Sequence, residues 1–303
     1  MTSIAVLPRH VAVATLLFVG ALFAANHVAA RLAFDDQAGL LLAIVCRSGL
    51  TLLALAAFVL WRQPRLRLAP GLLKWQIVLG LLIATQSLCL YSAVARIPVA
   101  LALLIGNTFP ILLALLTWGL GGARPTKRAC LLMGMILCGL VLVLDLPAWL
   151  STAESMTPAW KAGIGFAFLA ACVFSCGLWI TEHRLSALPG AVRSLYTILI
   201  IFCGMLVAGA AGVVPGGMNL PAGGQGWVAL VALSILYATA FTVLFVFVPR
   251  LDMARNAPVM NIEPVASLLF GWLMLDQVFS GMQLVGGAVV LGGIVLLAYS
   301  KRR

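Results

Sequence analysis

A carboxylate inside an apolar stretch of membrane length is the first candidate for chemistry in this sequence. The stretch runs from Asn256 to Trp272 and contains Asn261, Glu263 and Pro264. An ionisable group in such a segment is costly to bury and usually marks a substrate or ion site. The neighbouring proline removes a backbone donor and frees a carbonyl in the preceding turn. Glu263 is therefore a candidate for binding a substrate amine or for taking up and releasing a proton. The alternative is a protonated acid that steadies the bend at Pro264.

A second stretch, GNTFPILLALLTW, repeats the spacing of this segment 154 residues earlier. The gapless alignment gives nine identities in 48 positions, which include Asn107 with Asn261, Pro110 with Pro264, Trp118 with Trp272 and Gly139 with Gly293. Glu263 has no acidic twin, because Phe109 stands at its position. The paired amides either bind a polar substrate group or bridge helices for about 1 kcal/mol. The paired prolines are predicted to act as helix bends or gating points.

The composition is that of an integral membrane protein. Of 303 residues, 63% are hydrophobic and 9% are charged, with a mean hydropathy of +1.14. Soluble domains carry about 25% charged residues, so this chain lacks the polar surface of a soluble particle. Apolar runs of about 20 residues predict membrane-spanning helices rather than the shorter, alternating strands of a barrel. The fold class is predicted as an all-α polytopic membrane protein.

Ten transmembrane helices are predicted, at 10–31, 39–61, 74–95, 98–120, 127–146, 160–181, 192–213, 226–248, 255–275 and 281–300. Placing the N-terminus in the cytoplasm puts 15 Lys and Arg residues on the inside and 3 on the outside. This bias sets orientation, so both termini are expected in the cytoplasm. The net charge of +11 falls mainly in short loops between spans, which does not favour a nucleic-acid partner. We expect a multi-pass protein of the cytoplasmic (inner) membrane.

The ten spans divide into two halves of five. We predict a first five-helix repeat at 1–146, an external linker at 147–159 and a second repeat at 160–303, together forming one transport domain. An odd number of spans in each half inverts the second copy relative to the first. Two inverted halves meeting at a site near the midplane are typical of secondary transporters that work by alternating access.

These features resemble the drug/metabolite transporter superfamily, and most closely its EamA-type exporters. The resemblance rests on the five-plus-five organisation, on ARIPVALALLIGNTFPILLALL (95–116), on Arg47 in span 2 and on Asp276 followed by the Gly-rich start of span 10. It implies that spans 1, 3, 4, 6, 8 and 9 line a central cavity and that spans 5 and 10 buttress the outside. It also implies export of amino acids and related small metabolites.

Span 1 departs from the family pattern, because Phe23 stands where a Trp often precedes the Asn, although Asn26 is retained. Following the resemblance, the expected substrate-binding residues are Asn26, Tyr91, Asn107, Trp179, Tyr237, Phe241, Asn261 and Glu263. Two further polar residues carry open alternatives. Arg47 either meets a substrate carboxylate, or snorkels outward, or pairs with a helix-end carbonyl or an outer-loop acid such as Asp35. His27 either titrates near neutral pH or is a satisfied packing residue.

The predicted function is secondary export of amino acids with aromatic or other hydrophobic side chains. The alternative is a broader drug, nucleoside or other metabolite exporter. Seven cysteines lie in apolar runs without metal-ligand spacing, so we expect no disulfide framework, metal or cofactor. No arrangement typical of an intramembrane enzyme is recognisable. The expected partners are a small-molecule substrate and the lipid bilayer, with the protein as a monomer or weak homodimer. Proton-coupled and facilitated transport remain alternatives.

Overall fold

The computed structural model describes residues 7–62, 70–122, 124, 127–143, 157–247, 251, 259 and 262–300. Within these ranges the regular structure is helical and contains no strand. Eleven α-helices are described: α1 (Arg9–Asp35), α2 (Leu40–Arg62), α3 (Pro70–Val94), α4 (Val99–Gly106), α5 (Phe109–Gly119), α6 (Lys127–Val143), α7 (Pro158–His183), α8 (Gly190–Ala210), α9 (Gly224–Phe247), α10 (Ile262–Leu275) and α11 (Gly281–Ser300).

Seven helical segments in the described part of the chain are long and apolar enough to cross a membrane. They are α1, α2, α3, the α4–α5 segment, α7, α8 and α9. Shorter apolar helices lie within α6, α10 and α11. The chain is therefore a polytopic membrane protein, as its composition predicted.

The predicted span at 98–120 is not one continuous helix but two, α4 and α5, separated at Asn107 and Thr108. The break follows from the proline. Pro110 has no N–H to give the carbonyl of Gly106, and the N–H of Ile111 donates to Thr108 O at 3.0 Å. The α-helical hydrogen-bond ladder is thereby interrupted at the turn before Pro110.

Most of the helices pack side by side in a closed ring. Around this ring α10 contacts α1, then α9, α2, α8, α3 and α7 follow in turn, and the α4–α5 segment returns from α7 to α10. The remaining two helices, α6 and α11, pack mainly against each other. Their approach is close, because a methyl group at Gly139 would lie 2.9 Å from Val290 N and one at Gly293 would lie 2.5 Å from Ile136 Cγ1.

One cluster of buried side chains includes the start of α4, at the end of the ring that is predicted to be external. Every residue of α4 from Val99 to Ile105 is buried, and most of these side chains belong to one cluster with residues of α1, α3, α6 and α7. At the same end the Asp36 carboxylate accepts hydrogen bonds from the Gly223 and Gly226 N–H groups, at 2.8 and 3.0 Å. An acid at the start of α9 is stabilised by the helix dipole. These contacts hold the α1–α2 turn against the loop before α9.

Candidate substrate cavity

A cavity of about 340 Å³ lies within the ring of helices. Its volume is in the range of small-molecule sites, about 300–1,000 Å³. The lining comes from the six spans named by the family resemblance, with Arg47 of α2 in addition. The lining residues are Phe23, His27, Arg47, Ile83, Gln86, Ser87, Leu90, Leu103, Gly106, Asn107, Phe109, Ala170, Ala171, Phe174, Tyr237, Phe241, Leu244 and Glu263.

Helical spacing explains why lining residues of one helix lie on the same face of that helix. Phe23 and His27 are four residues apart on α1, and Tyr237 and Phe241 are four apart on α9, so each pair lies on one face. On α7, Ala171 places a small side chain one turn before Phe174 and leaves room for its ring. The long helices α1, α7 and α9 therefore position most of the aromatic wall.

Arg47 is the cation of this cavity and is held rigidly. Its side chain is 4% exposed, and its guanidinium carbon lies 4.3 Å from the ring centre of Tyr91 and 4.2 Å from that of Tyr237. Such stacking between aromatic faces favours a desolvated cation. The Nη1 atom of Arg47 also donates to the Tyr91 hydroxyl at 3.1 Å.

The support for Arg47 continues behind the cavity wall. The Tyr91 hydroxyl donates to Asn26 Oδ1 at 3.2 Å, and Asn26 Nδ2 donates to the carbonyl of Leu233 at 2.7 Å. Both Tyr91 and Asn26 are fully buried. A buried polar chain in which each member has a partner rigidifies its surroundings, so α1, α2, α3 and α9 together fix the guanidinium. We call Asn26, Arg47 and Tyr91 the arginine cluster.

The structure contradicts the alternative in which Arg47 snorkels outward or pairs with an acid such as Asp35. The guanidinium is buried among aromatic rings, and Asp35 instead pairs with Arg31 one turn away, at 2.8 Å. Among the described residues, no carboxylate lies within salt-bridge distance of Arg47. Its positive charge is thus left available to the cavity.

Glu263 is the acid of the cavity and lies beside His27. It stands in the first turn of α10, where the helix dipole favours a negative charge. Glu263 Oε1 is 3.3 Å from His27 Nε2, and 22% of the Glu263 side chain is exposed. The His27 Nδ1 atom is buried and has no hydrogen-bond partner among the described residues. Within the described part of the chain, only one ring nitrogen of His27 thus has a partner.

The helix break brings polar backbone to the same cavity. Asn107 caps the end of α4, and its Nδ2 donates to Leu103 O at 2.9 Å. The Ser175 hydroxyl of α7 donates to Phe109 O at 3.0 Å. Pro110 lies in the first turn of α5 directly after the break. Gly106 and Asn107 both line the cavity. Because Pro110 has no N–H, it cannot pair with the Gly106 carbonyl as a continuous α-helix would require.

Pro264 occupies the corresponding place in α10. It is buried, and the Ser267 hydroxyl donates to its carbonyl at 2.7 Å. The paired prolines therefore both lie in the first turn of a described helix. Asn261, the repeat partner of Asn107, lies outside the described residues.

Of the eight predicted binding residues, the seven that the structure describes fall into three groups. Asn107, Tyr237, Phe241 and Glu263 line the cavity. Asn26 and Tyr91 lie behind the wall and hold Arg47.

Trp179 lies outside the lining altogether. Its ring is stacked on His183, with centroids 4.7 Å apart. The reason is helical phase, because position 179 is five residues beyond Phe174 and so points about 140° away from it.

Several lining residues were not among the sequence candidates. Phe109 and Phe174 both line the cavity. Their rings pack edge to face, with centroids 5.0 Å apart. The repeat contained a signal for Phe109, since it occupies the position of Glu263 in the other half. Nothing in the sequence distinguished Phe174 from the other aromatic residues of its span.

The aromatic wall is continuous on the α1–α9 side. Phe23 packs edge to face with Tyr237, with centroids 5.7 Å apart, and Tyr237 stacks on Phe241, at 5.6 Å. The cavity therefore combines an apolar, aromatic surface with one fixed cation and one acid. In the described part of the chain, no three His, Cys, Asp or Glu side chains come together as a metal site requires.

A bundle of membrane helices around a polar and aromatic cavity is typical of a small-molecule transporter. The profile of the EamA-like transporter family matches residues 10–145 and again residues 161–299. The two matches cover most of the chain, so this protein belongs to the EamA-like transporter family.

Two individual comparisons agree with this assignment. An uncharacterized transporter of Synechocystis sp. is 26% identical over 228 residues, which is 73% of this chain and 65% of the relative. The match thus spans just under two thirds of the relative's length. A solved crystal structure has a TM-score of 0.64 at 21% identity and covers 98% of this chain and 100% of its own. At that identity the likeness concerns the fold alone.

Proposed function

We propose that this protein is a secondary transporter that exports amino acids with aromatic or other hydrophobic side chains across the cytoplasmic membrane. The observation that carries the proposal is one cavity with a fixed cation, Arg47, an acid, Glu263, and aromatic walls. An α-amino acid at neutral pH has the complementary groups: a carboxylate, an ammonium and a side chain.

Each end of the zwitterion has a suitable partner. The planar guanidinium of Arg47 matches a carboxylate in a two-pronged hydrogen bond, and the Glu263 carboxylate accepts from an ammonium. The guanidinium carbon of Arg47 lies 4.2 Å from the ring centre of Tyr237, and Glu263 lines the same cavity as Tyr237. Phe109, Phe174 and Phe241 offer apolar surface to the rest of the cargo.

Alternating access follows from an inverted repeat, which we propose for the two halves 1–146 and 160–303, joined by an external linker. The family profile matches each half separately. Exchanging each span with its partner five spans away maps the ring of helix contacts onto itself, so that α1 on α9 becomes α7 on α3. Gly139 and Gly293, twins in the sequence, both lie at the α6–α11 contact.

In this proposal ten spans cross the membrane with both termini in the cytoplasm. The helix break before Pro110 and the bend at Pro264 are the points at which the two halves move relative to each other. Rocking one half against the other then exposes the same cavity to either side of the membrane.

The test is substrate counterflow by the purified protein in proteoliposomes. Vesicles loaded with unlabelled L-phenylalanine or L-leucine should take up the labelled amino acid with saturable kinetics. Competition by a panel of amino acids should rank aromatic and large aliphatic ones above glycine and lysine. Absence of saturable flux for every amino acid, or equal competition by nucleosides and cationic drugs that lack a carboxylate, would contradict the proposal.

A further inference from the structure

We propose that the end of the bundle where α3 meets the α7–α8 loop binds the headgroup of an anionic phospholipid. The site consists of Lys74 and Trp75 on α3, Arg184 directly after α7 and Arg193 on α8. We call these four residues the basic patch. The inference goes beyond the proposed function, because it concerns the outer surface of the bundle and not the cavity.

Two exposed cations share one indole ring. The guanidinium carbon of Arg184 lies 4.9 Å from the ring centre of Trp75 and 5.9 Å from that of Trp179. The Lys74 ammonium lies 5.9 Å from the same Trp75 ring. Lys74 and Arg184 are both exposed, so a ligand can reach them from outside. Two like charges held at one ring repel each other, and a bound anion relieves that repulsion.

A third cation reaches the same place from α8. The Nη1 atom of Arg193 donates to the Leu185 carbonyl at 3.5 Å. Leu185 directly follows Arg184 and is fully buried, in a cluster that also includes the partly buried Trp75 and Trp179. This packing fixes the α7–α8 loop against α3 and holds the three cations at one end of the bundle.

The cations of the basic patch have no acid partner in the described part of the chain. The described ranges contain two acid–base pairs within salt-bridge distance, one in the cavity and one at the end of α1. Glu182 stands two residues before Arg184 and is exposed, but it forms no such pair with a described residue. A positive surface without compensating acids concentrates anions around it.

The surface beside the patch is suited to the acyl chains of a lipid. Leu73, Ile77 and Leu81 of α3 are exposed, and their spacing of four residues places them along one face of the helix. Lys74 directly follows Leu73 at the start of this face. Tryptophan is enriched where a membrane helix meets the headgroups, which is the place that Trp75 would then occupy. A free anion would gain nothing from the apolar face, so the ligand we propose is a phospholipid.

The proposed topology places the basic patch at the cytoplasmic side of the membrane. Basic pockets between helices on that side bind anionic headgroups. The lipid phosphate would accept hydrogen bonds from Arg184 and Lys74, and the acyl chains would lie along the exposed face of α3. Because the patch joins α3, α7 and α8, one bound lipid would contact three neighbouring helices of the ring.

The experiment is lipid competition on the purified full-length protein, measured by native mass spectrometry. The protein in detergent is equilibrated with equal amounts of phosphatidylglycerol and phosphatidylcholine that carry the same acyl chains, and the ratio of the two bound lipids is measured. Each cation near an anionic surface contributes about fivefold in affinity, so the wild type should favour phosphatidylglycerol by at least about tenfold. The ratio is read from intact protein, so the yield of a variant does not alter it.

The double variant Lys74→Gln/Arg184→Gln should reduce this preference by at least about fivefold. The matched control is Arg96→Gln/Lys161→Gln, which removes two cations near the opposite ends of α3 and α7. Arg96 also lies over an aromatic ring, 5.2 Å from the centre of Phe166. The control should therefore lose the same kind of contact but keep the wild-type ratio within about twofold.

Two further variants keep the test valid if the double variant does not fold. Lys74→Gln alone changes one exposed residue and should lower the preference by about fivefold. Arg184→Lys keeps the charge and should stay within about twofold of the wild type. An unchanged preference in Lys74→Gln, in the absence of the double variant, would contradict the site.

The remaining outcomes are equally decisive. Equal binding of the two lipids by the wild type, or an unchanged preference in the double variant, overturns the proposal. An equal fall in the control variant shows attraction by overall charge and overturns it as well. Displacement of phosphatidylglycerol by millimolar glycerol 3-phosphate shows a site for a free phosphate and overturns the assignment to a lipid. None of these outcomes involves counterflow, so the proposed function and this inference can fail independently.

Discussion

Two polar groups face the same cavity and differ in how completely they are satisfied. The arginine cluster runs through Tyr91 and Asn26 to a backbone carbonyl, with a hydrogen bond at each step and two aromatic ring centres within 4.3 Å of the guanidinium carbon. The pair of His27 and Glu263 has one contact of 3.3 Å and leaves a buried nitrogen without a partner in the described part of the chain.

The difference separates a rigid contact from an incompletely satisfied one. A satisfied network holds its geometry, which suits Arg47 to the carboxylate contact of the proposed function. A half-satisfied pair gains from a new partner, which suits Glu263 to the ammonium contact of that proposal. In the proposed function the two neighbouring groups therefore bind opposite ends of one zwitterion.

Loss of the anchor charge should have the largest effect. Arg47→Ala removes charged hydrogen bonds worth about 1.5–3 kcal/mol each, so kcat/KM for L-phenylalanine counterflow should fall by roughly a hundredfold. Arg47→Lys keeps the charge without the planar fork and should lose about tenfold. The matched control is Arg96→Ala, because Arg96 lies outside the cavity lining. Equal losses in Arg47→Ala and Arg96→Ala would contradict the role of the anchor.

Neutralising the acid should have the next largest effect. Glu263→Gln preserves shape but weakens the contact with an ammonium, and we expect KM to rise about tenfold at neutral pH, again by one charged hydrogen bond. Counterflow measured at neutral pH checks this, with Glu182→Gln as the control. An unchanged KM in Glu263→Gln would contradict the role of the acid.

Removing a hydrogen bond that holds Arg47 from behind the cavity lining should have a smaller effect on transport. Tyr91→Phe removes the hydroxyl that joins Arg47 to Asn26 and leaves Asn26 Oδ1 buried without its donor. The expected cost is about 1–3 kcal/mol in stability, with KM raised about fivefold because Arg47 is less well fixed. Thermal unfolding in detergent and counterflow together measure both effects. Unchanged stability and KM would show that the hydroxyl bridge does not position the anchor.

The smallest effect should come from the aromatic residue outside the cavity. Trp179→Phe should change counterflow kinetics by less than about twofold, because Trp179 stacks on His183 and does not reach the lining. Phe241→Leu, which alters the wall itself, should raise KM for L-phenylalanine by about fivefold and that for L-leucine less, through the loss of aromatic contact. If Trp179→Phe reduces transport more than Phe241→Leu, the cavity is not where the structure indicates.

The parts of this architecture that depend on local chemistry were predictable from the sequence. Apolar runs indicated helices, and Pro110 indicated a bend, because a missing N–H acts within one turn. The cost of a carboxylate in an apolar segment singled out Glu263, which lines the cavity. The sequence did not show that span 4 divides into two helices, since that depends on where the N–H of Ile111 donates.

Contacts between distant spans were beyond the sequence. Arg47 comes from α2, its two stacking rings come from α3 and α9, and no spacing rule connects positions 47, 91 and 237. For the same reason Asn26 and Tyr91 were expected in the wall and lie behind it. The pairing of His27 with Glu263 depends on the packing of α1 against α10. Trp179 was expected in the cavity because its span lines it, but helical phase turns its ring away.

The central claim is that the cavity binds both ends of a zwitterion, and ligand binding to the purified wild-type protein tests it most directly. Isothermal titration would compare L-phenylalanine with phenethylamine, which lacks the carboxylate, and with 3-phenylpropionate, which lacks the amine. We predict that each analogue binds at least tenfold more weakly than L-phenylalanine, by one lost charged hydrogen bond of about 1.5–3 kcal/mol. Equal affinity for all three ligands would contradict the claim.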